Sequence, residues 1–268
     1  MAMQSSLSVL VHGESKSGKS MMAVSGSAPR LLLDVESAAR FLPIDAVEWD
    51  PANPPPKLGD GTDGQPDTAV VNVRNWKAAK DAYAWLHAGK HPFRSVAVDS
   101  ISELQQRYIE SIAGRATIKI DQWGSILREV GGFVRDLRDL TTHPSMPIET
   151  LVITSMTRER DGFYRPALQG QMMDILPYLV DIIGWLYIDT DAQGNETRRL
   201  LTRKRGKFIA GERVGGRIPP VMELPRVTGT TAKEVRDSNV TMRQMRALVF
   251  PQAPPRPAVG AGAGTAKA

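Results

Sequence analysis

The chain has 268 residues, 41% of them hydrophobic, and 34 lysines and arginines stand against 29 aspartates and glutamates. This length predicts one large α/β domain with extensions, and the apolar stretches fall short of the roughly 18 residues of a membrane span, so we expect a cytoplasmic protein without a membrane partner. The absence of cysteine excludes disulfides, thiol catalysis and cysteine-ligated zinc, and the net charge of +5 favours a polyanionic partner.

The first motif is a glycine loop at residues 13–20, G-E-S-K-S-G-K-S, between an apolar strand and the start of a helix. This is the context of the G-x-x-x-x-G-K-[ST] phosphate loop, whose backbone N–H groups cradle nucleotide phosphates. We expect Gly13 and Gly18 to adopt backbone angles that a side chain would forbid. Lys19 is predicted to reach the β- and γ-phosphates, and Ser20 to bind Mg²⁺. The predicted nucleotide-binding residues are Gly13, Glu14, Ser15, Lys16, Ser17, Gly18, Lys19, Ser20 and Met21.

The next apolar run, P-R-L-L-L-D-V-E, predicts a buried parallel strand with Asp34 and Glu36 at its carboxyl end. Residues 49–68 are rich in Pro, Gly and Asp and have no periodic apolar face, so we expect a surface loop or flexible insertion there. Residues 69–73 then predict a short strand, and residues 76–87 an amphipathic helix.

A second strand that ends in a carboxylate follows at residues 95–99, S-V-A-V-D. Ser100 and Glu103 directly after it have the spacing of a capping box, which predicts that a helix begins at once. A further amphipathic helix is predicted at residues 122–140, where the pair Gly131-Gly132 either weakens the helix or allows close packing.

The remaining segments are shorter. Residues 149–155 predict a buried strand, and the basic residues 156–171 predict a loop. Residues 172–178 predict a helix up to Pro177, and residues 180–203 an antiparallel hairpin at the sheet edge. Residues 204–217 form a basic, glycine-rich segment. Residues 241–249 predict a C-terminal helix, and residues 251–268 a disordered tail.

These segments together predict phosphate-transfer chemistry. An aspartate after a buried strand organises Mg²⁺, and a second carboxylate polarises the attacking water. Asp99 fits the first role. Glu36 is the preferred water activator because it lies at the carboxyl end of a strand, whereas Glu103 is better explained as a helix cap and Asp34 as structural. Lys19, Glu36 and Asp99 are thus the predicted catalytic residues, and nucleotide binding with little hydrolysis stays an alternative.

In their order, the motifs G-E-S-K-S-G-K-S, L-L-L-D-V-E, S-V-A-V-D-S and T-L-V-I-T-S resemble the core of RecA-like ATPases. They are most similar to the short phage proteins of the Sak type, single-strand annealing recombinases also described as phage AAA ATPases. The resemblance implies a RecA-like P-loop NTPase core of α/β class, with a mostly parallel sheet flanked by helices. It also implies ATP and Mg²⁺ as ligands, Glu36 as water activator and Asp99 as the Walker B aspartate.

The resemblance covers about residues 7–224, which places the ATPase domain at residues 1–225 and a helical extension at 226–250. It departs at the end of the fourth core strand, where the family carries a sensor glutamine or asparagine and this chain has Thr154 and Ser155. The residue after Asp99 is not acidic, unlike in AAA+ enzymes that place their catalytic glutamate there.

The resemblance also implies that the loop after the fourth core strand faces nucleic acid. Guanidinium groups interleaved with aromatic rings suit single-stranded DNA, although a solvated loop is the alternative. A second basic run, residues 198–207, has three open uses: DNA contact, a charge supplied in trans to a neighbouring subunit, or a solvated edge strand. The DNA-binding candidates are Arg158, Arg160, Phe163, Tyr164, Arg165, Lys204, Arg205 and Lys207, and the trans-acting candidates are Arg203 and Arg213.

Two functions therefore stand side by side. The first is an ATP-dependent, single-stranded-DNA-binding ATPase of phage recombination or annealing, which oligomerises as a ring or filament in the host cytoplasm and works with a single-strand-binding protein. The second is a nucleotide-gated assembly or structural module with little hydrolysis. A small-molecule phosphotransferase is disfavoured because residues 49–68 contain no arginine that could form a lid over the phosphates.

Overall fold

The apolar runs of the sequence become the strands of one large sheet. The computed structural model describes residues 5–252. Its strands are β1 (Leu7–Gly13), β2 (Arg30–Asp34), β3 (Ala46–Glu48), β4 (Thr68–Asn72), β5 (Ser95–Asp99), β6 (Thr150–Ser155), β7 (Thr157–Arg160), β8 (Phe163–Pro166), β9 (Ile182–Thr190), β10 (Glu196–Leu201), β11 (Gly211–Glu212) and β12 (Val221–Glu223).

The sheet is mostly parallel, as predicted. Within the described residues, the strand order is β12-β10-β9-β1-β6-β5-β2-β4-β3, with β11 paired to β9. All neighbours from β9 to β3 in this order are parallel, and β10, β11 and β12 pair antiparallel. The predicted β9–β10 hairpin is confirmed, and the short β12 covers its outer strand. The central strands are buried along their whole length, which explains their unbroken apolar sequences.

Helices cover both faces of the sheet. They are α1 (Lys19–Ala23), α2 (Trp76–His87), α3 (Ile101–Ala113), α4 (Gln122–Asp139), α5 (Met172–Ile175), α6 (Ala232–Ser238) and α7 (Thr241–Val249). Helices α2, α3 and α4 pack on one face through residues such as Leu86, Leu104 and Val130. Helices α1 and α7 pack on the other face through Met22 and Met245. The α/β class with helices on both faces is therefore confirmed.

The order of the strands brings distant parts of the sequence to one edge. Strand β6 lies between β1 and β5, so that Val11 is opposite Thr154 in the parallel register. Strand β2 lies beside β5, with Asp34 opposite Asp99. Because the carboxyl ends of parallel strands share an edge, the phosphate loop and the predicted carboxylates meet there.

The basic segment after β6 is a hairpin, and its prediction as a loop is wrong. Strands β7 and β8 pair antiparallel around Asp161 and Gly162, which have φ values of 54° and 76°. Two successive positive φ angles identify a type I′ turn, for which Asp-Gly is a favoured sequence. The D-G pair between two four-residue segments was the signal that predicts this hairpin.

The Pro- and Gly-rich segment at residues 49–68 lacks helix and strand up to β4, as expected for a loop. Its ends are anchored in the core. The Trp49 side chain is buried against Phe93, and its indole N–H donates to the carbonyl of Asn53 at 3.0 Å. At the other end, Arg30 donates to the buried Asp67 carboxylate at 2.7 Å.

The segment at residues 226–250 contains two helices, of which α7 packs on the α1 side of the sheet. Helix α7 has the predicted bounds, and its Met242 N–H donates to Ser25 Oγ at 3.0 Å. Helix α6 was not predicted, although Thr231 and Glu234 form a capping box at its start. The predicted domain boundary at residue 225 stays a prediction, and all but the first two residues of the predicted tail lie outside the described part. None of the helices described combines the length and apolarity needed to cross a bilayer.

Candidate nucleotide site

The phosphate loop joins β1 to α1, and two of its glycines are required for different reasons. Gly18 has φ of 104°, which is the positive backbone angle expected from the sequence. Gly13 is needed for space instead of for an angle, because a Cβ there would lie 2.2 Å from the carbonyl oxygen of Leu186 on β9. A side chain at position 13 would therefore push the loop away from the sheet.

Lys19 lies within the loop and faces acidic groups. Its Nζ donates to the carbonyl oxygens of Gly13 at 3.1 Å and Glu14 at 2.6 Å. Burial lowers the pKa of Lys19, while the negative charges of Asp99, Glu36 and Glu14 oppose this shift. The loop thus holds an ammonium group next to the two predicted catalytic carboxylates.

Asp99 ends β5 in a buried position beside Ser20. Its Oδ1 accepts a hydrogen bond from Thr154 Oγ1. Burial raises the pKa of Asp99, and hydrogen bonding by the Ser20 and Thr154 side chains opposes the shift. Thr154, which stands where the family carries its sensor, is therefore used to orient Asp99.

The other carboxylate oxygen of Asp99, Oδ2, is buried without a hydrogen-bond partner among residues 5–252. A buried carboxylate oxygen in this state is suited to a divalent cation or to water bound to one. The residues of the site therefore fit Mg²⁺, which Ser20 and Asp99 would hold together with nucleotide phosphates. Within residues 5–252 there is no group of three or more histidine, aspartate or glutamate side chains placed so that it could hold a metal ion.

Glu36 lies just past the end of β2, exposed, with its carboxylate held by a neighbouring hydroxyl. Ser100 Oγ donates to Glu36 Oε1, and it accepts from the Glu103 N–H at the start of α3 at 3.4 Å. Glu36 lines a cavity of about 530 Å³ together with Lys19 and Asp99. Glu36 therefore shares this cavity with Lys19 and Asp99, and its role as water activator stays a prediction.

The alternative carboxylate, Glu103, points elsewhere. It forms an ion pair with Arg107 at 3.1 Å on the surface of α3 and does not line the phosphate cavity. Asp34 is buried, and its carboxylate accepts from the backbone N–H groups of Ala38 and Ala39 at 3.0 and 2.9 Å. Asp34 therefore stabilises the turn that follows Glu36, which agrees with its structural interpretation.

Arg198 is a site residue that sequence reasoning did not place. Its side chain lies over Gly18, since a Cβ added there would be 3.0 Å from Arg198 Nε, and it lines the phosphate cavity. Within the described residues its guanidinium makes no hydrogen bond or ion pair, whereas Arg199 next to it pairs with Asp189 at 2.5 Å. The alternation of β10, with Leu200 buried on the α1 side, was a signal for this placement.

The two predicted DNA-binding segments meet in one surface. The Tyr164 N–H on β8 donates to the carbonyl of Lys207 at 2.8 Å, and Lys204 Nζ lies 5.1 Å from the ring centre of Phe163. We define the basic surface by its exposed cations, Arg158, Arg160, Lys204, Arg205 and Lys207. Two other candidates are engaged within the chain: Arg165 pairs with Asp174 at 2.7 Å, and Tyr164 stacks on Phe208.

The two trans-acting candidates lie toward the same end of the sheet, because Arg203 is close to Glu212, which directly precedes Arg213. Arg203 lies near the basic surface, 3.8 Å from Glu212. Arg213 lies at the opposite end from the phosphate loop, where its guanidinium donates to the carbonyl of Tyr178 at 3.1 Å and to that of Val180. Neither residue faces the phosphate cavity of its own chain, and a role in a neighbouring subunit stays a prediction.

His12, the last residue before the phosphate loop, connects β1 to the basic surface. Its Nε2 bonds to the carbonyl of Ile209 at 2.7 Å, and its Nδ1 bonds to Thr157 Oγ1 at 3.1 Å. Burial lowers the pKa of His12 to about 4, so the ring is neutral at physiological pH. A neutral ring that bonds to a carbonyl through Nε2 carries its proton there, which leaves Nδ1 to accept from Thr157.

Comparison with known protein families shows the family to which the chain belongs. A family model described as an AAA domain, AAA_24, matches residues 5–214. The chain belongs to this AAA domain family. The match includes the phosphate loop, Glu36, Asp99 and the hairpin β7–β8, so the chain is a P-loop protein of a nucleotide-dependent ATPase family. No curated protein matches this AAA domain.

Proposed function

We propose that this AAA domain is a Mg²⁺-dependent ATPase that binds single-stranded DNA and acts in phage recombination or annealing. The observation that carries the proposal is the link between the basic surface and the phosphate loop. His12 precedes Gly13 in the chain and bonds both to Thr157 of the hairpin and to Ile209. A nucleic acid bound to the basic surface could therefore change the position of β1, the strand that leads into the phosphate loop.

The hydrolytic step follows from the positions of three side chains. Lys19 binds the γ-phosphate and stabilises the charge that develops there. Glu36 orients a water molecule toward the phosphorus and accepts its proton, while the hydroxyl of Ser100 holds the Glu36 carboxylate in place. Mg²⁺ held by Ser20 and Asp99 would supply further positive charge to the phosphate oxygens. Thr154 donates to Oδ1 of Asp99 and so restrains this carboxylate, whose residue lines the phosphate cavity.

The wider setting is part of the proposal. We infer that the protein assembles as a ring or filament on the strand in the host cytoplasm, with a single-strand-binding protein as a further partner. Arg203 or Arg213 would then supply a charge to the phosphates of the next subunit. The exposed cations of the basic surface would contact DNA phosphates, which makes binding dependent on salt concentration.

The test is ATP turnover by the purified full-length protein with and without an oligothymidylate strand. We expect turnover to rise with DNA, to require Mg²⁺, and to disappear in Lys19→Ala, because that variant loses the phosphate-binding ammonium group. Turnover that DNA leaves unchanged contradicts the coupling. ATP binding with no turnover under any condition supports a nucleotide-gated assembly module instead, and tight ATP binding by Lys19→Ala would overturn the loop assignment.

A further inference from the structure

A second cavity, of about 550 Å³, lies beside the phosphate loop on the opposite side from the phosphate cavity. We call it the aromatic cavity, and its lining includes Glu14, Ser15, Trp185, Tyr187, Arg205 and Phe208. On β9, Trp185 and Tyr187 alternate with Leu186, which packs on the α1 side of the sheet. The aromatic cavity therefore lies on the face of the sheet away from α1. A ligand in it would be on the opposite face of the sheet from α1.

Aromatic rings form the floor and walls of this cavity. Trp185 is buried and stacks on Phe208, with ring centres 4.7 Å apart, and Phe208 in turn stacks on Tyr164 at 5.1 Å. Tyr187 and Phe208 are themselves half-buried, so each leaves part of its ring accessible from the cavity. Partly exposed rings over an apolar floor are the platforms on which single-stranded nucleic acids stack their bases.

The rim of the aromatic cavity is cationic. Arg205 lines it, and Lys204 and Lys207 are exposed on either side of Arg205 in the chain. Across residues 5–252 none of these three side chains forms an ion pair. Cations that are not neutralised by the protein are suited to the phosphates of a strand whose base enters the cavity.

We propose that the aromatic cavity binds one base of single-stranded nucleic acid, with the phosphates of the strand on the basic surface. The inference rests on the proposed function and gives it a defined contact. Tyr187 and Phe208 stack the base, Trp185 closes the floor, and Arg205 holds a flanking phosphate. Glu14 and Ser15 line both this cavity and the phosphate cavity, so the base contacts the same loop that binds ATP.

The experiment compares an oligothymidylate with the same strand carrying abasic sites, each labelled with fluorescein and followed by anisotropy. We expect the wild type to bind the base-containing strand more tightly by about 5- to 150-fold, the range for loss of one base stack. In Tyr187→Ala and Phe208→Ala this preference falls toward one. Tyr178→Ala is the matched control, because Tyr178 is 81% exposed and lies at the other end of β9.

A second readout attributes the signal to the cavity itself. Base-containing DNA should quench tryptophan fluorescence in the wild type, and Trp185→Phe should remove that change although the other four tryptophans remain. Quenching by a non-hydrolysable ATP analogue alone would assign the cavity to the adenine of the nucleotide and overturn the inference. Wild-type preference retained in Tyr187→Ala and Phe208→Ala also overturns it, while failure of the wild type to bind any strand overturns the proposed function as well.

Discussion

At the scale of single residues, two of the cations that line the phosphate cavity, Lys19 and Arg198, differ in what holds them. Lys19 is bonded to two carbonyl oxygens of its own loop. Arg198 comes from β10, far along the chain, and lies over Gly18 with no ionic partner in the part of the chain described. A guanidinium that the protein does not neutralise is suited to bind phosphate oxygens. Arg198 thus has the position of a phosphate contact supplied by the same chain.

Replacement of Arg198 tests this assignment. We expect Arg198→Ala to raise the dissociation constant of ATP by roughly 10-fold, the loss of about 1.5 kcal/mol for a hydrogen bond to a charged group. Arg199→Ala is the matched control, since Arg199 pairs with Asp189 outside the cavity and its loss should leave ATP affinity unchanged. Isothermal titration calorimetry measures both variants. Equal affinities for Arg198→Ala and the wild type would contradict the assignment.

At the scale of elements, the two adjacent glycines of α4 have different surroundings. A Cβ on Gly131 would lie 3.2 Å from Met172 Sδ of α5, whereas a Cβ on Gly132 would meet no atom within 4 Å. The sequence left open whether this pair weakens the helix or allows close packing. The structure shows a different role for each glycine. Gly131 allows α4 to pack closely against α5, whereas Gly132 only weakens α4.

Alanine substitutions separate the two effects. We expect Gly132→Ala to stabilise the protein by about 0.5–1 kcal/mol, because alanine loses less backbone entropy than glycine in a helix. For a chain of this size that raises the midpoint of thermal unfolding by about 1–4 °C. Gly131→Ala should be the less stable of the two variants, since its methyl group meets Met172. Equal midpoints in differential scanning calorimetry would contradict this reading of the interface.

Local signals were sufficient for several elements. The predicted bounds of α2, β5 and α7 agree with the structure, because each has a clear apolar period or an apolar run with a polar end. Helix α2 is also capped by Asn75, whose side chain accepts from the Ala78 N–H. The hairpin β7–β8 and helix α6 carry local signals as well, Asp161-Gly162 and the Thr231 capping box, so both were within reach of the sequence.

At the scale of the whole molecule, the site depends on which strands become neighbours. The loop, Glu36 and Asp99 are recognisable as motifs, but the insertion of β6 between β1 and β5 is a property of the sheet order. The same order places Thr154 against Asp99 and gives Arg198 access to Gly18. Such contacts join residues more than 50 positions apart, and local patterns do not determine them. This is why Glu36 and Asp99, which line the phosphate cavity, could be picked out from the sequence and their partners could not.

The sheet order also joins the basic surface to the phosphate loop through a chain of hydrogen bonds. His12 bonds to the hairpin β7–β8 and to Ile209, and Gly13 follows it directly. On the other side of the loop, Ser155 at the end of β6 shares a hydrogen bond of 2.9 Å with Ser102 of α3, next to Ser100. Both sides of the phosphate cavity are therefore joined to the segment that begins at the end of β6.

Single-turnover hydrolysis of γ-labelled ATP tests the proposed role of Glu36 as the residue that activates the attacking water. With excess protein, Mg²⁺ and saturating single-stranded DNA, we expect Glu36→Gln to hydrolyse ATP at least about 100-fold more slowly than the wild type. The variant should bind ATP at least as tightly, because it loses a negative charge near the phosphates. Glu103→Gln, at the rival carboxylate, should keep the wild-type rate. Hydrolysis at the wild-type rate by Glu36→Gln, or an equally slow rate in Glu103→Gln, would show that Glu36 is not the water activator.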